Sequence, residues 1–192
     1  KYLIIDEAHH LEDEATKQFQ FDISANQLPV MLDNQLKLWN GIRIDTNNLN
    51  NGDSVRTILL NNIHSMERSI DHMSAGWNTM WKVINDTFNT SSSDASNNPM
   101  VIHNDFRSSS SWHTIFELWE NLQVTTKENT SCIRTLCNNL DSLDVTLSNK
   151  PHTIVELNTN IEQIESLEQQ INSIERPPDE NSVEWVSSDR NR

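Results

Sequence analysis

A chain of 192 residues with 28 acidic against 14 basic side chains carries a formal charge of −14. No window gathers lysine and arginine into the cluster that a phosphate-binding face needs, so this chain alone is expected to grip nucleic acid weakly, if at all. No run of about 18 apolar residues is present, which excludes a membrane-spanning helix, and the 35% of apolar residues are patterned, which excludes a disordered acidic tail.

The chain opens on KYLIIDEAHHL. Tyr2-Leu3-Ile4-Ile5 is a short continuous apolar run, the mark of a strand buried on both faces. Asp6 and Glu7 follow at its carboxyl end, where ligands bind in open α/β sheets. An aspartate there can hold a magnesium ion, usually through water. A neighbouring glutamate can orient and deprotonate a water that attacks a γ-phosphate. Two plainer readings stand beside this one. Acids favour helix N-termini, so Asp6 and Glu7 can simply begin a solvated helix. Asp6, Glu7, His9 and His10 can also be read as metal ligands, although neighbours on a helix point apart and the HExxH spacing is absent.

Beyond residue 15 the expectation is helical. Only three glycines are present, Gly41, Gly52 and Gly76, against an average usage of about 7%. A doubly wound α/β domain spends more than that on turns and phosphate loops. A first helix is expected over residues 25–39, capped by Ser24, with Pro29 in its first turn where proline is tolerated. Residues 45–53 (DTNNLNNGD) read as an exposed tip and lack the oxygen ligands of a calcium loop. A long helix is expected over 54–89. Ile63, Met66, Ile70, Met73, Trp77, Met80 and Ile84 recur there at alternating steps of three and four, a heptad seam that Leu59 and Val55 extend, with Ser54 as cap.

Residues 89–111 form a low-complexity linker with one apolar island, 100–102, read as a strand or a docking patch. A third helix places Ile115, Leu118, Leu122, Cys132, Leu136, Leu140, Leu143 and Leu147 on one face. Thr125 and Asn129 interrupt that face, so a bend or break is expected near the middle. A fourth seam runs through Ile154, Leu157, Ile161, Ile164, Leu167, Ile171 and Ile174 with one slip, Pro151 just ahead of it and Pro177-Pro178 ending it. Ser182-Val183-Glu184-Trp185-Val186 reads as a last strand. These stripes are read as the core of helices packed side by side. Cys132 and Cys137 have neither the spacing nor the partners of a zinc site and poor geometry for a disulfide, and their usage fits a reducing, cytoplasmic compartment. Sequons at Asn85, Asn89 and Asn129 are no more than this Asn-, Ser- and Thr-rich composition supplies by chance.

Residues LIIDEAHHLEDEA resemble the DEAH-box motif of superfamily-two helicases, most of all the DinG/XPD-like branch, with the tetrapeptide standing as Asp6-Glu7-Ala8-His9. The apolar run before it, His10 and Leu11 after it, and the long helical region that follows carry the likeness further. The resemblance implies a piece of a longer chain. Residues 1–15 would be a remnant of the first RecA-like motor domain, 16–176 a helical Arch-like insertion, and 177–192 a linker and return strand. The implied fold is mainly α, an elongated antiparallel bundle of heptad-patterned helices, with short terminal β segments left from the RecA-like domain. Asp6 would hold Mg2+, Glu7 would be the catalytic base for ATP hydrolysis, and His9 would link nucleotide state to nucleic-acid contacts.

ATP and Mg2+ are therefore implied for the parent protein, with none held tightly by this piece. The parent would translocate on or unwind single-stranded or forked DNA in repair or replication. Some bacterial relatives are fused to an exonuclease. The Gly-x-x-x-x-Gly-Lys-Ser/Thr phosphate loop is missing from this sequence, as is the four-cysteine iron–sulfur motif of many relatives, so the isolated chain is not expected to hydrolyse ATP. Two other functional classes remain open at this point. One is an acidic helical adaptor that binds a protein partner, with Trp112, Trp119 and Trp185 as candidate anchors. The other is a small metal hydrolase built on the acid and histidine cluster.

Overall fold

Helix α1 (Gln27–Asn47) buries Leu28, Leu32, Gln35, Trp39, Ile42 and Thr46, one seam residue every three or four positions. This is a computed structural model, and it describes residues 22–48, 53–91, 100–142, 149–175 and 183–186. The N-cap is Asn26 rather than Ser24, and Ser24 contributes its backbone carbonyl, which accepts from the Gln27 amide at 3.0 Å. Pro29 occupies the first turn as anticipated. The helix runs eight residues past the expected end at Trp39. Ile42 and Thr46 continue the buried stripe, and burying them outweighs the cost of Gly41 in a helix interior, about 1 kcal/mol.

Helix α2 (Asp53–Ser91) matches its sequence period closely. Leu59, Ile63, Met66, Ile70, Met73, Trp77 and Met80 are all buried, and Ile84 packs at the margin. At 39 residues it is on the order of 58 Å long. The stretch read as linker is partly structured. Strand β1 (Met100–Val101) and the four-residue helix α3 (Asn104–Arg107) precede helix α4 (Ser110–Ser142). Of the bend or break expected near the middle of α4, the break does not occur: the helix is continuous for 33 residues. Its seam is Trp112, Ile115, Trp119, Leu122, Thr126, Asn129, Ile133, Leu136 and Leu140, a strict alternation of three and four that passes directly through polar side chains. Leu118 and Cys132, assigned to the face from sequence, sit only at its edge, and Leu143 and Leu147 lie outside the described residues.

Helix α5 (Lys150–Glu175) takes in Pro151 as its second residue. The slip in its hydrophobic spacing has a simple cause. Asn160 occupies the missing seam position and is itself buried, its Nδ2 donating to the Glu156 carbonyl at 2.7 Å.

Each of the four long helices runs antiparallel to the next. Trp77 Nε1 donates to the Ala25 carbonyl, and Arg43 pairs with Glu67, so the start of α1 meets the middle of α2 and its end meets the first half. Ser69 meets Asn129, and Trp119 meets Asn172 while Arg134 meets Glu165. α2 packs on α1 and α4, and α5 closes the ring against α4 and α1. The result is an up-down-up-down four-helix bundle, the geometry that heptad seams favour. Among the described residues no helix is long and apolar enough to cross a membrane.

The strand expected at 182–186 is present in part as β2 (Trp185–Val186). It pairs antiparallel with β1, Met100 opposite Val186 and Val101 opposite Trp185. The apolar island is thus a strand. The run Tyr2-Leu3-Ile4-Ile5, expected to fray or to pair with residues 183–186 or another molecule, lies outside the described residues.

Candidate functional site

The residues that carry the sequence motif, Asp6, Glu7, His9 and His10, all lie outside the described residues. Among the described residues no group of three or more His, Cys, Asp or Glu side chains is placed to hold a metal ion. Of the three tryptophans considered as partner anchors, Trp112 and Trp119 are buried core, and Trp185 is 44% exposed on the outer face of the ribbon. The structure instead gathers chemistry at three other places.

The first is the end of the bundle where α2 finishes, α4 begins and α5 ends. Helix α3 is too short to hold itself, since a nucleus of one turn is unfavourable. It is held by Phe106, whose ring lies 5.1 Å from Phe88 and 5.6 Å from Trp112, which in turn lies 4.8 Å from Phe116. That stack presents the next residue, Arg107. Its guanidinium carbon lies 4.8 Å above the Trp112 ring. Nη1 donates to the Ile174 carbonyl and, at 3.5 Å, to that of Glu175, which caps the C-terminus of α5. Nη2 donates to the Glu184 carboxylate. The Arg107 side chain is 8% exposed and that of Glu184 19%. Burial pushes the Glu184 carboxyl above the usual carboxylate range, with the charge and hydrogen bond of Arg107 pulling it back.

The second place is a polar layer inside the bundle. Asn129 of α4 is fully buried. Its Nδ2 donates to Ser69 Oγ of α2 at 2.9 Å and to Gln35 Oε1 of α1 at 3.3 Å. Ser69 Oγ donates in turn to the Met66 carbonyl at 2.8 Å. Gln35 Nε2 and Asn129 Oδ1 have no hydrogen-bond partner among the described residues. A parallel set joins α4 to α5: Trp119 Nε1 and Gln123 Nε2 both donate to Asn172 Oδ1, at 2.8 and 2.6 Å, and Thr126 bonds Glu168. Sequence periodicity found none of the pairings between helices, because those partners lie 42 to 94 residues apart.

The third is a pair of surface grooves. One, of about 670 Å³ between α2 and α4, is lined by Arg68, His72, Lys127, Glu128 and Cys132. Glu128 offsets the two cations, so the groove offers no strong anion site. Burial, then the Glu128 charge, push the Cys132 thiol up against the opposing pull of Arg68. Burial, then Asp141, raise Cys137. Neither thiol has the lowered pKa of a nucleophile.

The other groove, of about 740 Å³ between α1 and α5, surrounds Gly41. A Cβ on Gly41 would meet nothing within 4 Å, whereas one on Gly76 would meet Leu122 Cδ1 at 3.0 Å. Gly41→Ala is therefore expected to stabilise the chain by about 0.5–1 kcal/mol, raising Tm by roughly 1–4 °C. Gly76→Ala is expected to give no gain, because Leu122 must move within a packed core at a cost of about 1 kcal/mol or more. Thermal melts of the two variants beside the parent check both, and an equal rise in each would contradict the close approach of α2 to α4.

None of the three places combines a nucleophile with a base, or a metal set with an open position, so the described bundle carries no catalytic constellation of its own. No family model matches the chain, and neither a curated protein nor a solved structure is found that is similar to it.

Proposed function

We propose that this chain is the Arch-bearing piece of an ATP-dependent DNA helicase of the DinG/XPD-like branch. Two independent features support the reading. The DEAH tetrapeptide, Asp6 to His9, stands directly after an apolar strand-like run. The helical bundle that follows has the form an insertion needs. The segment entering α1 is tied to Trp77 of α2, and the segment leaving α5 is tied through Glu184 to Arg107, at the end where α2 finishes. Entry and exit on one end let a bundle stand on a host domain without disturbing it. This convergence is the observation that carries the proposal.

In this reading Asp6 would hold Mg2+ and Glu7 would take the proton from the attacking water. His9 would relay the nucleotide state. ATP supplies the phosphoryl group whose transfer drives movement. The bundle would border the path of a single strand. Its acidic charge suits guiding or excluding that strand rather than clamping it, with the motor supplying the positive wall.

The test is Glu7→Gln in the intact parent protein. ATP hydrolysis is expected to fall by about 10²–10⁴-fold, the usual share of a general base, while DNA binding by the motor persists. Unchanged hydrolysis would remove Glu7 from the role and the helicase reading with it.

A further inference from the structure

We infer that Arg107 is a latch that fastens the exit strand of the chain to the bundle, and that the β1–β2 ribbon opens as a unit when the latch is released while the four helices stay folded. The inference stands apart from the helicase reading, because every contact in it lies within the described residues.

The argument begins with how little else holds the ribbon. Two strands of two residues each, with two facing pairs, cannot stand alone in water. One further backbone bond, from the Ile102 amide to the Glu184 carbonyl at 2.9 Å, extends the pairing. The inner face of the ribbon contributes Ile102 and Val186 to the core. Its outer face, Val101, Val183 and Trp185, stays exposed. Three small contacts do not offset the ordering entropy of both strands.

Arg107 supplies what is missing. One guanidinium grips the Glu184 carboxylate from the exit strand, the last carbonyls of α5 and the Trp112 ring of α4. It ties together elements 67 and 77 residues distant from it in the chain. A planar fork with several donors is the side chain suited to this, and lysine is not its equal.

The bundle, by contrast, owes Arg107 little. Its core runs the length of α2 and α4, far beyond the latch. Local opening should therefore separate from global unfolding. The consequence is mechanical. With the latch closed, the direction in which the chain leaves residue 186 is set by the bundle. With it open, neither Glu184 nor the β1–β2 pairing fixes that direction.

Amide hydrogen exchange read by mass spectrometry on the full chain tests this. Arg107→Met keeps the stem over Trp112 and removes the charge. Exchange at Ile102 is expected to quicken by about tenfold or more, with amides of Met66–Met73 and Ile133–Leu140 within about twofold of the parent. Glu184→Gln, which leaves the α5 carbonyls and Trp112 their partner, is expected to give a smaller rise of about threefold or more at Ile102, and Arg107→Lys one smaller than Arg107→Met. Unchanged exchange at Ile102 in both Arg107→Met and Glu184→Gln would overturn the latch. So would equal acceleration across ribbon and bundle, since Arg107 would then be part of the global core. If Arg107→Met does not fold, that result too counts against a local latch, and Glu184→Gln alone decides whether the ribbon depends on the ion pair.

Discussion

Trp77→Ala is expected to cost about 3–5 kcal/mol of folding stability, the range seen when a large buried aromatic is truncated. Trp77 is fully buried at the middle of the α2 seam. Its ring lies 5.8 Å from Trp81 and its Nε1 donates to the Ala25 carbonyl at 2.7 Å. Truncation removes the ring from the core and leaves that carbonyl at the start of α1 without its donor. Trp77→Phe, which keeps most of the volume, separates the two losses and is expected to cost about 1–3 kcal/mol. Trp185→Ala is the control, with a cost below about 1 kcal/mol for a half-exposed side chain. Denaturant midpoints followed by circular dichroism at unchanged slope measure all three. A Trp77→Ala cost no larger than that of Trp185→Ala would show that the start of α1 does not rest on this contact.

Asn129→Asp is expected to destabilise the fold by about 3 kcal/mol or more at neutral pH. The substitution replaces the Nδ2 donor to Ser69 and Gln35 by a carboxylate in a fully buried layer. The unpartnered Gln35 Nε2 is the donor at hand, and one neutral donor does not replace the water around a charge. The sign with pH follows from linkage. Burial raises the introduced carboxyl's pKa in the folded state above its unfolded value of about 3.9. The penalty is therefore complete above the raised value and fades as pH falls to the unfolded one. Measured as the difference between variant and parent, it should shrink between neutral pH and about pH 4. A difference that is small at neutral pH, or constant across that range, would mean that Asn129 reaches solvent.

The same residue shows where sequence reading stopped. Thr125 and Asn129 in the middle of an apolar stripe predict a bend or break, because such side chains compete for backbone hydrogen bonds. No break occurs: Thr125 bonds the Leu122 carbonyl of its own helix at 2.8 Å, Asn129 finds partners on two other helices, and the seam's own threonine, Thr126, finds Glu168 on a third. Nothing local to α4 contains the partners that Asn129 and Thr126 find on other helices. Arg107 is a similar case. In sequence it is one cation at the edge of a serine-rich stretch, and only the fold brings Glu184 and the α5 carbonyls to it.

The amino-acid order by itself determined that the described body is helical, where the α2 seam runs, and that Pro177-Pro178 follow α5. Those are local matters of period, propensity and chain-breaking residues. It also carries the DEAH tetrapeptide, which lies outside the described residues. Tertiary structure alone decided that α4 stays whole, that the slip in α5 is a buried asparagine, and that a strand from the linker pairs with the exit strand. The first and the last depend on hydrogen bonds between groups distant in the chain, and the second on Asn160 meeting its own helix's Glu156 carbonyl once packing has buried it. Such a bond outweighs local preference only after burial has taken water away from both groups.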